Sequence, residues 1–296
     1  MKNAPESGPA LAYLIAGAGG MLGTALQRVV AAGGATLCAP PAADFDITDP
    51  VAVRHRVVEF AEKLAPDERG VLVNAAAYTN VERAEDEPGR AYLVNEHGPA
   101  LLARAARAAG LGFAHVSTDF VFDGRKEGPY SETDEPNPLS VYGATKLAGE
   151  IAVTAEYPEA LIVRTAWLFG RGGANFPAKI LEAASTHPSV RVVTDEIGSP
   201  TYALDLASGI TGLVMHGASG LFHLTGSGWC TRYELAEETL RLAGVVTSIE
   251  PVTSGTFPTR AMRPRNSVLD CAKAARLGVV LPEWRDALAR YVREIR

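Results

Sequence analysis

Three cysteines in 296 residues, Cys38, Cys230 and Cys271, are too few and too scattered for a disulfide framework, and none stands in a C-x-x-C spacing that would hold zinc. A reducing, cytoplasmic setting is expected. The six histidines show no ligand spacing either, and each reads as a surface or packed residue, so no metal site is expected. Positive charge is also short: 28 Lys and Arg against 34 Asp and Glu leave a net charge of −6. That excludes a basic surface on the scale of a nucleic-acid binder, while leaving room for a local patch that holds a small anion. The apolar run Leu11 to Ala16 is too short for a membrane span or a signal peptide, so no membrane partner is expected. What is present, 47% hydrophobic and 21% charged residues, suffices for one large domain or two smaller ones.

The first ten residues, MKNAPESGPA, read as a loose tail. Beyond them short apolar runs alternate with longer helical patterns. The runs are LAYLIA (11–16), ATLCA (35–39), VLVN (71–74), GFAHVS (112–117) and ALIVR (160–164). Amphipathic segments lie between them at 21–32, 50–64, 90–109 and 141–155. Continuous aliphatic runs separated by helices mark parallel strands buried on both faces, which predicts an α/β fold with a doubly wound, Rossmann-like parallel sheet. After residue 165 the rhythm loosens, with helices near 175–185, 203–216 and 231–243 and a Pro, Thr and Arg-rich segment at 251–266. The expected division is therefore a dinucleotide-binding domain at 11–165 and, at 166–296, a smaller, partly interleaved region that binds substrate. No internal repeat is visible.

The first strand runs into GAGGMLG, in which Gly17, Gly20 and Gly23 stand as G-x-x-G-x-x-G directly before a helix. Glycines there allow a tight turn, approach of a pyrophosphate to backbone N–H groups, and close helix-to-strand packing. A glycine triplet alone is weak; its place after the first strand of a βαβ pattern makes it a dinucleotide site. The second strand ends in Cys38-Ala39-Pro40, without the carboxylate that would hold the ribose hydroxyls of NAD and without an Arg for a 2′-phosphate. The missing carboxylate removes the repulsion against that phosphate, so the reading leans to NADPH, with NADH as the alternative. Asp46-Ile47 could reach the adenine, and Ala75-Ala76-Ala77 are small enough for the dinucleotide to lie against the backbone.

In NPLSVYGATKLAGE, Tyr142 and Lys146 fall four apart on one helix face, after Ser140 as a cap. With nine tyrosines in the chain such a spacing alone is weak, and the bland reading is an exposed helix pair. Joined to a strand ending in Ser117-Thr118 it suggests chemistry: an ammonium near a phenol favours the phenolate, and Thr118 can hold the oxygen on which Tyr142 acts. Asn95 is a candidate for a water-linked relay behind Lys146, or simply satisfies backbone groups.

Taken in order, GAGGMLG, DITD, NAAAYTNVERAE, STDFVFDG, VYGATKLAGE and RTAWLFG resemble the extended short-chain dehydrogenase/reductase superfamily. With GSPTYALDLA and RPRNSVLD they resemble, more narrowly, the dTDP-4-dehydrorhamnose reductase family, over residues 11 to about 290. That resemblance implies NAD(P)H-dependent reduction of the 4-keto group of dTDP-6-deoxy-L-lyxo-4-hexulose to dTDP-L-rhamnose. It implies Tyr142 as proton donor, Lys146 as its partner, Thr118 as the hydroxyl that polarises the ketone, Asp119 as a sugar contact and Trp167 packed against the nucleotide. Gly20, Met21 and Leu22 would meet the cofactor's pyrophosphate region, and Asp46, Ile47, Ala77, Tyr78 and Thr79 the rest of it. A homodimer is the family's usual assembly, and magnesium aids some members.

Phe120 departs from the family's frequent Tyr, which opens the identity of the sugar; dihydrostreptose synthases share the framework. Nucleotide-sugar dehydratases resemble the segment but carry Glu after Thr-Asp, and Phe120 cannot exchange a proton. A non-catalytic, dinucleotide-binding regulatory subunit is the alternative from another class, against which the intact Thr118, Tyr142 and Lys146 count.

Overall fold

The computed structural model describes residues 10–257 and 259–296. Residue 10, expected in the tail, already belongs to the first strand; the rest of that tail lies outside the described residues. The strands are β1 (Ala10–Ala16), β2 (Thr36–Cys38), β3 (Glu68–Asn74), β4 (Gly112–Thr118), β5 (Leu161–Thr165), β6 (Leu168–Phe169), β7 (Ser189–Val193), β8 (Ile197–Gly198), β9 (Thr201–Tyr202), β10 (Gly220–His223), β11 (Cys230–Thr231) and β12 (Ser248–Val252). The helices are α1 (Met21–Ala32), α2 (Pro50–Glu62), α3 (Val81–Asp86), α4 (Pro88–Tyr92), α5 (Gly98–Ala108), α6 (Val141–Glu156), α7 (Phe176–Thr186), α8 (Ala203–Met215), α9 (Arg232–Ala243), α10 (Ala272–Ala275) and α11 (Trp284–Ile295).

Six strands form one parallel sheet in the order β10-β5-β4-β3-β1-β2. The aliphatic runs make this sheet because successive side chains alternate between faces and both faces are covered. Tyr13 and Ile15 of β1 pack with Leu22 and Leu26 of α1 and Leu206 and Ile210 of α8. Ala12 and Leu14 pack on the opposite side with Val53 and Val57 of α2 and Leu102 and Ala106 of α5. From β1 the chain runs outward to β2 and then returns to β3 on the other side, so the crevice at a doubly wound sheet's switch point lies beyond the ends of β1 and β3.

Caps set where the helices begin. Asp49 accepts from Val51 N at 2.8 Å for α2, Ser140 from Gly143 N at 3.2 Å for α6, and Thr231 and Glu234 form a reciprocal capping box for α9. The segment expected as one helix over 90–109 is divided into α4, a π-helical turn at Leu93–His97, and α5. Pro99 has no N–H to give to a regular ladder, and the wider turn forms just before it.

Past residue 165 the chain makes three two-stranded ladders, β6 with β9, β7 with β12 and β8 with β11, which sit with α7, α9 and α11 beyond the strand ends. Trp284, Leu288 and Tyr291 of α11 bury against Phe169 and Tyr202 in a cluster of their own. Between those pieces α8 and β10 return to the main sheet, β10 pairing with β5. Among the described residues no helix is long and apolar enough to cross a membrane.

Candidate active site

A cleft of about 1650 Å³ opens beyond the carboxyl ends of β1, β3, β4 and β5, roofed by the segments after residue 165. Its floor begins with the glycine turn. Gly17 has φ of +78°, and a Cβ there would lie 2.5 Å from Ala76 N, so only glycine lets the turn close against the end of β3. Gly17, Gly20, Met21 and Leu22 line the cleft, followed by Asp46, Ile47, Ala75, Ala76, Ala77 and Thr79. Small residues and a helix N-terminus make a cradle that fits a dinucleotide pyrophosphate.

Two residues expected at the cofactor are placed otherwise. Gly23 is off the cleft wall: a Cβ there would lie 2.1 Å from Gly17 O, so its part is the close packing of α1 onto the turn. Tyr78 turns its phenol away to Glu87, Oη donating to Oε2 at 2.9 Å. Its backbone is held instead by Asn95, whose side-chain oxygen accepts from Tyr78 N at 2.8 Å and whose amide nitrogen donates to Tyr78 O and to Thr145 Oγ1. Asn95, buried in the π-helical turn, thus satisfies backbone groups and ties that turn to α6.

Thr118 ends β4, with its hydroxyl donating to Asp119 Oδ1 at 2.9 Å and accepting from Phe120 N at 3.2 Å. The first turn of α6 is pressed onto this corner, since a Cβ on Gly143 would come within 2.2 Å of Phe120 O. The contact brings Tyr142 over Thr118, with the Phe120 ring edge-on to the phenol at 5.4 Å between centroids. One turn on, Lys146 is 2% exposed and its Nζ donates to Val116 O at 2.7 Å.

Burial pushes the Tyr142 phenol up to about 12, partly offset by a hydrogen bond with Thr118 and reinforced by the Asp119 carboxylate. This differs from the expectation that Lys146 would depress it. Loss of solvent dominates, and the ammonium is held at the strand backbone. Lys146 itself is brought down to about 8 by burial, which the charge of Glu150 opposes. Asp119, 2% exposed, rises to about 6 for the same reason, opposed by the Thr118 hydroxyl that donates to Oδ1 and by the nearby Arg232, and its buried Oδ2 has no hydrogen-bond partner.

Trp167 lines the cleft with φ of +46° and carries the Arg232 guanidinium on its ring, 3.5 Å from the centroid. The ring packs against Gly198, where a Cβ would lie 2.3 Å from Cε2. A stacking nucleotide would therefore share the indole with Arg232. Arg232 was not singled out from the sequence, and neither were Glu196, Lys179, Arg191, Arg263 and Arg265, which also face the cleft from the far half of the chain. Arg263 and Arg265 were visible only within RPRNSVLD and the Arg-rich 251–266 segment, and the others stand in no spacing that marks a site. Among the described residues no group of three or more His, Cys, Asp or Glu could hold a metal ion.

The arrangement places a protonated phenol, a hydroxyl and an ammonium at the mouth of a dinucleotide cradle. A family model described as RmlD substrate binding domain matches residues 12–296. A dTDP-4-dehydrorhamnose reductase from Streptomyces griseus is 42% identical over 284 residues, covering 93% of this chain and 91% of that protein. Its counterpart from Mycolicibacterium smegmatis is 40% identical over 280 residues, covering 93% and 83%. The solved dTDP-4-dehydrorhamnose reductase of Bacillus anthracis, in complex with NADP, superposes with a TM-score of 0.90 at 31% identity, covering 97% of this chain and 100% of that one.

Proposed function

This chain belongs to the family described as RmlD substrate binding domain, and from that premise we propose that it is an NADPH-dependent dTDP-4-dehydrorhamnose reductase acting on the 4-keto group of a dTDP-6-deoxyhexulose. The observation that carries the chemistry is the corner where Gly143 meets Phe120 O, because it sets Tyr142 over Thr118 at the cleft floor.

The cradle of Gly17, Gly20, Met21, Leu22 and Ala75 to Ala77 would hold NADPH, which when bound supplies the hydride. The chain's own residues manage the oxygen that becomes negative. Thr118 swings its hydroxyl from Asp119 to the ketone and polarises it. Tyr142, held protonated through neutral pH, gives its proton to the forming alkoxide, a stronger base than phenolate. The Lys146 ammonium would then turn from Val116 O to stabilise the tyrosinate left behind. Asp119, whose Oδ1 is released when Thr118 turns to the ketone, would accept from a sugar hydroxyl, and Trp167 with Arg232 forms a flat cationic wall suited to the base and diphosphate.

Phe120 supports reduction over elimination, since it offers no group that could remove a proton beside the ketone. Replacing Tyr142 by Phe tests the assignment: ketosugar-dependent NADPH oxidation is expected to fall by about 10²–10⁴-fold, and unchanged turnover would overturn it.

A further inference from the structure

Beneath the reacting residues lies a buried ion pair that the mechanism above does not use. Glu150 is one helical turn past Lys146 on α6, and Arg164 of β5 clamps its carboxylate, Nε donating to Oε1 at 2.8 Å and Nη2 to Oε2 at 2.7 Å. The Arg164 and Glu150 side chains are 3% and 7% exposed. A pair this deep is a poor source of stability, because desolvating two charges offsets most of their attraction. Its place calls for another reason.

The surroundings supply one. His115 on β4 faces Lys146, but burial and the Lys146 charge both hold it well below its usual basicity, and its Nδ1 is engaged by Asn74. His223 stands beside Arg164 in register on β10 and is pushed down to about 3, first by burial and then by the Arg164 charge. Toward the cleft, Tyr142 keeps its proton, and Asp119 lies beyond it on the far side of Thr118. The carboxylate whose field supports the Lys146 ammonium is that of Glu150.

We propose that Glu150 is a positioning residue for the reaction, pinned by Arg164 so that its negative charge keeps the Lys146 ammonium loaded behind Tyr142. This rests on the reading of Lys146 as the partner of Tyr142. Arg164 has two parts in it: it fixes the carboxylate geometry, and it packs its guanidinium on the Phe122 ring, 5.0 Å from the centroid, so that Glu150 cannot swing outward to water. Without the Glu150 charge, burial would act on Lys146 unopposed.

The test reads Lys146 directly in the full chain. The protein has six lysines, so ¹³C label at lysine Cε gives a small set of NMR signals, with that of Lys146 identified by its loss in Lys146→Met. Glu150→Gln should lower the Lys146 titration midpoint by about one pH unit, and Glu150→Asp, which keeps the charge, should leave it near the wild-type value. The same shift should appear as a loss of roughly five-fold in kcat/KM at about pH 8 beyond any loss at about pH 6. Should Glu150→Gln not fold, the charge-balanced Glu150→Gln/Arg164→Gln double variant should still lower the midpoint, since the carboxylate that opposes burial of the ammonium is gone. An unchanged midpoint in the folded Gln variants, or an equal drop in Glu150→Asp, would overturn the proposal. Because the titration needs neither substrate nor cofactor, its failure is separate from any failure of the reductase reading.

Discussion

Tyr142 holds its proton through neutral pH because the cleft removes water from the phenolate, while Lys146 gives up its ammonium proton at about 8. Reduction needs both groups protonated, the phenol neutral and the ammonium charged, as they stand near neutrality. The rate of ketone reduction is therefore expected to decline as pH rises through about 8, where Lys146 becomes neutral, well before the phenol ionises. A kcat/KM profile with no decline between neutrality and the phenol's own titration would contradict this. Asp119 makes a separate prediction. Its carboxyl titrates near 6 in the fold against a lower value in the unfolded chain, so the folded state binds more protons between those two values. Stability must fall as pH rises through that window, and Asp119→Asn should raise Tm at neutral pH while making little difference at about pH 4. Thermal denaturation at the two pH values checks it; a variant less stable than wild type at both would show that the carboxyl group's hydrogen bond with Thr118, rather than the cost of burying its charge, dominates at this corner.

The elements carry these groups through backbone contacts that admit no side chain. On α6, a Cβ on Gly143 would meet Phe120 O at 2.2 Å and one on Gly149 would meet Asn95 O at 2.1 Å, so the helix lies directly on the corner after β4 and on the π-helical turn. Gly143→Ala is expected to cost about 1–3 kcal/mol by overpacking and to reduce kcat by moving Tyr142, with a much smaller effect on NADPH affinity. Chemical denaturation, single-turnover rates and fluorescence titration with NADPH separate the three. Much of this was legible in the chain: GAGGMLG after an apolar run placed the dinucleotide turn, and VYGATKLAGE after Ser140 placed a helix with its reactive face. What was hidden depends on partners distant in sequence. Tyr78 sits amid cleft residues but finds Glu87; the break in the helix over 90–109 needed more than the presence of Pro99; and β10, far along the chain, gave no local sign that it would pair with β5.

For the molecule as a whole, the cleft is a joint product of the sheet and the segments after residue 165. Gly17, Gly20 to Leu22 and Ala75 to Ala77 come from one side, Trp167, Glu196, Arg232 and Arg265 from the other. Arg265 stands within RPRNSVLD and Arg232 within no motif, and neither shows its place in the cleft until α9 and the 251–266 segment fold over the strand ends. A ligand that occupies both sides binds the native state and not the unfolded one, so NADPH at about 100 times its dissociation constant should add about 2.7 kcal/mol to global stability. Thermal scans across NADPH concentrations check this, and a Tm independent of NADPH would rule out the cradle as its site. The reaction itself is tested most directly by generating dTDP-4-keto-6-deoxysugars in situ, adding the protein with NADPH, and following both cofactor oxidation and the stereochemistry at C4 of the product. The expected result is NADPH consumed in step with ketosugar, a dTDP-deoxysugar bearing a new 4-hydroxyl, and near-complete loss of both in Tyr142→Phe. NADPH that binds but is never oxidised with any such sugar, or turnover that survives Tyr142→Phe, would contradict the assignment.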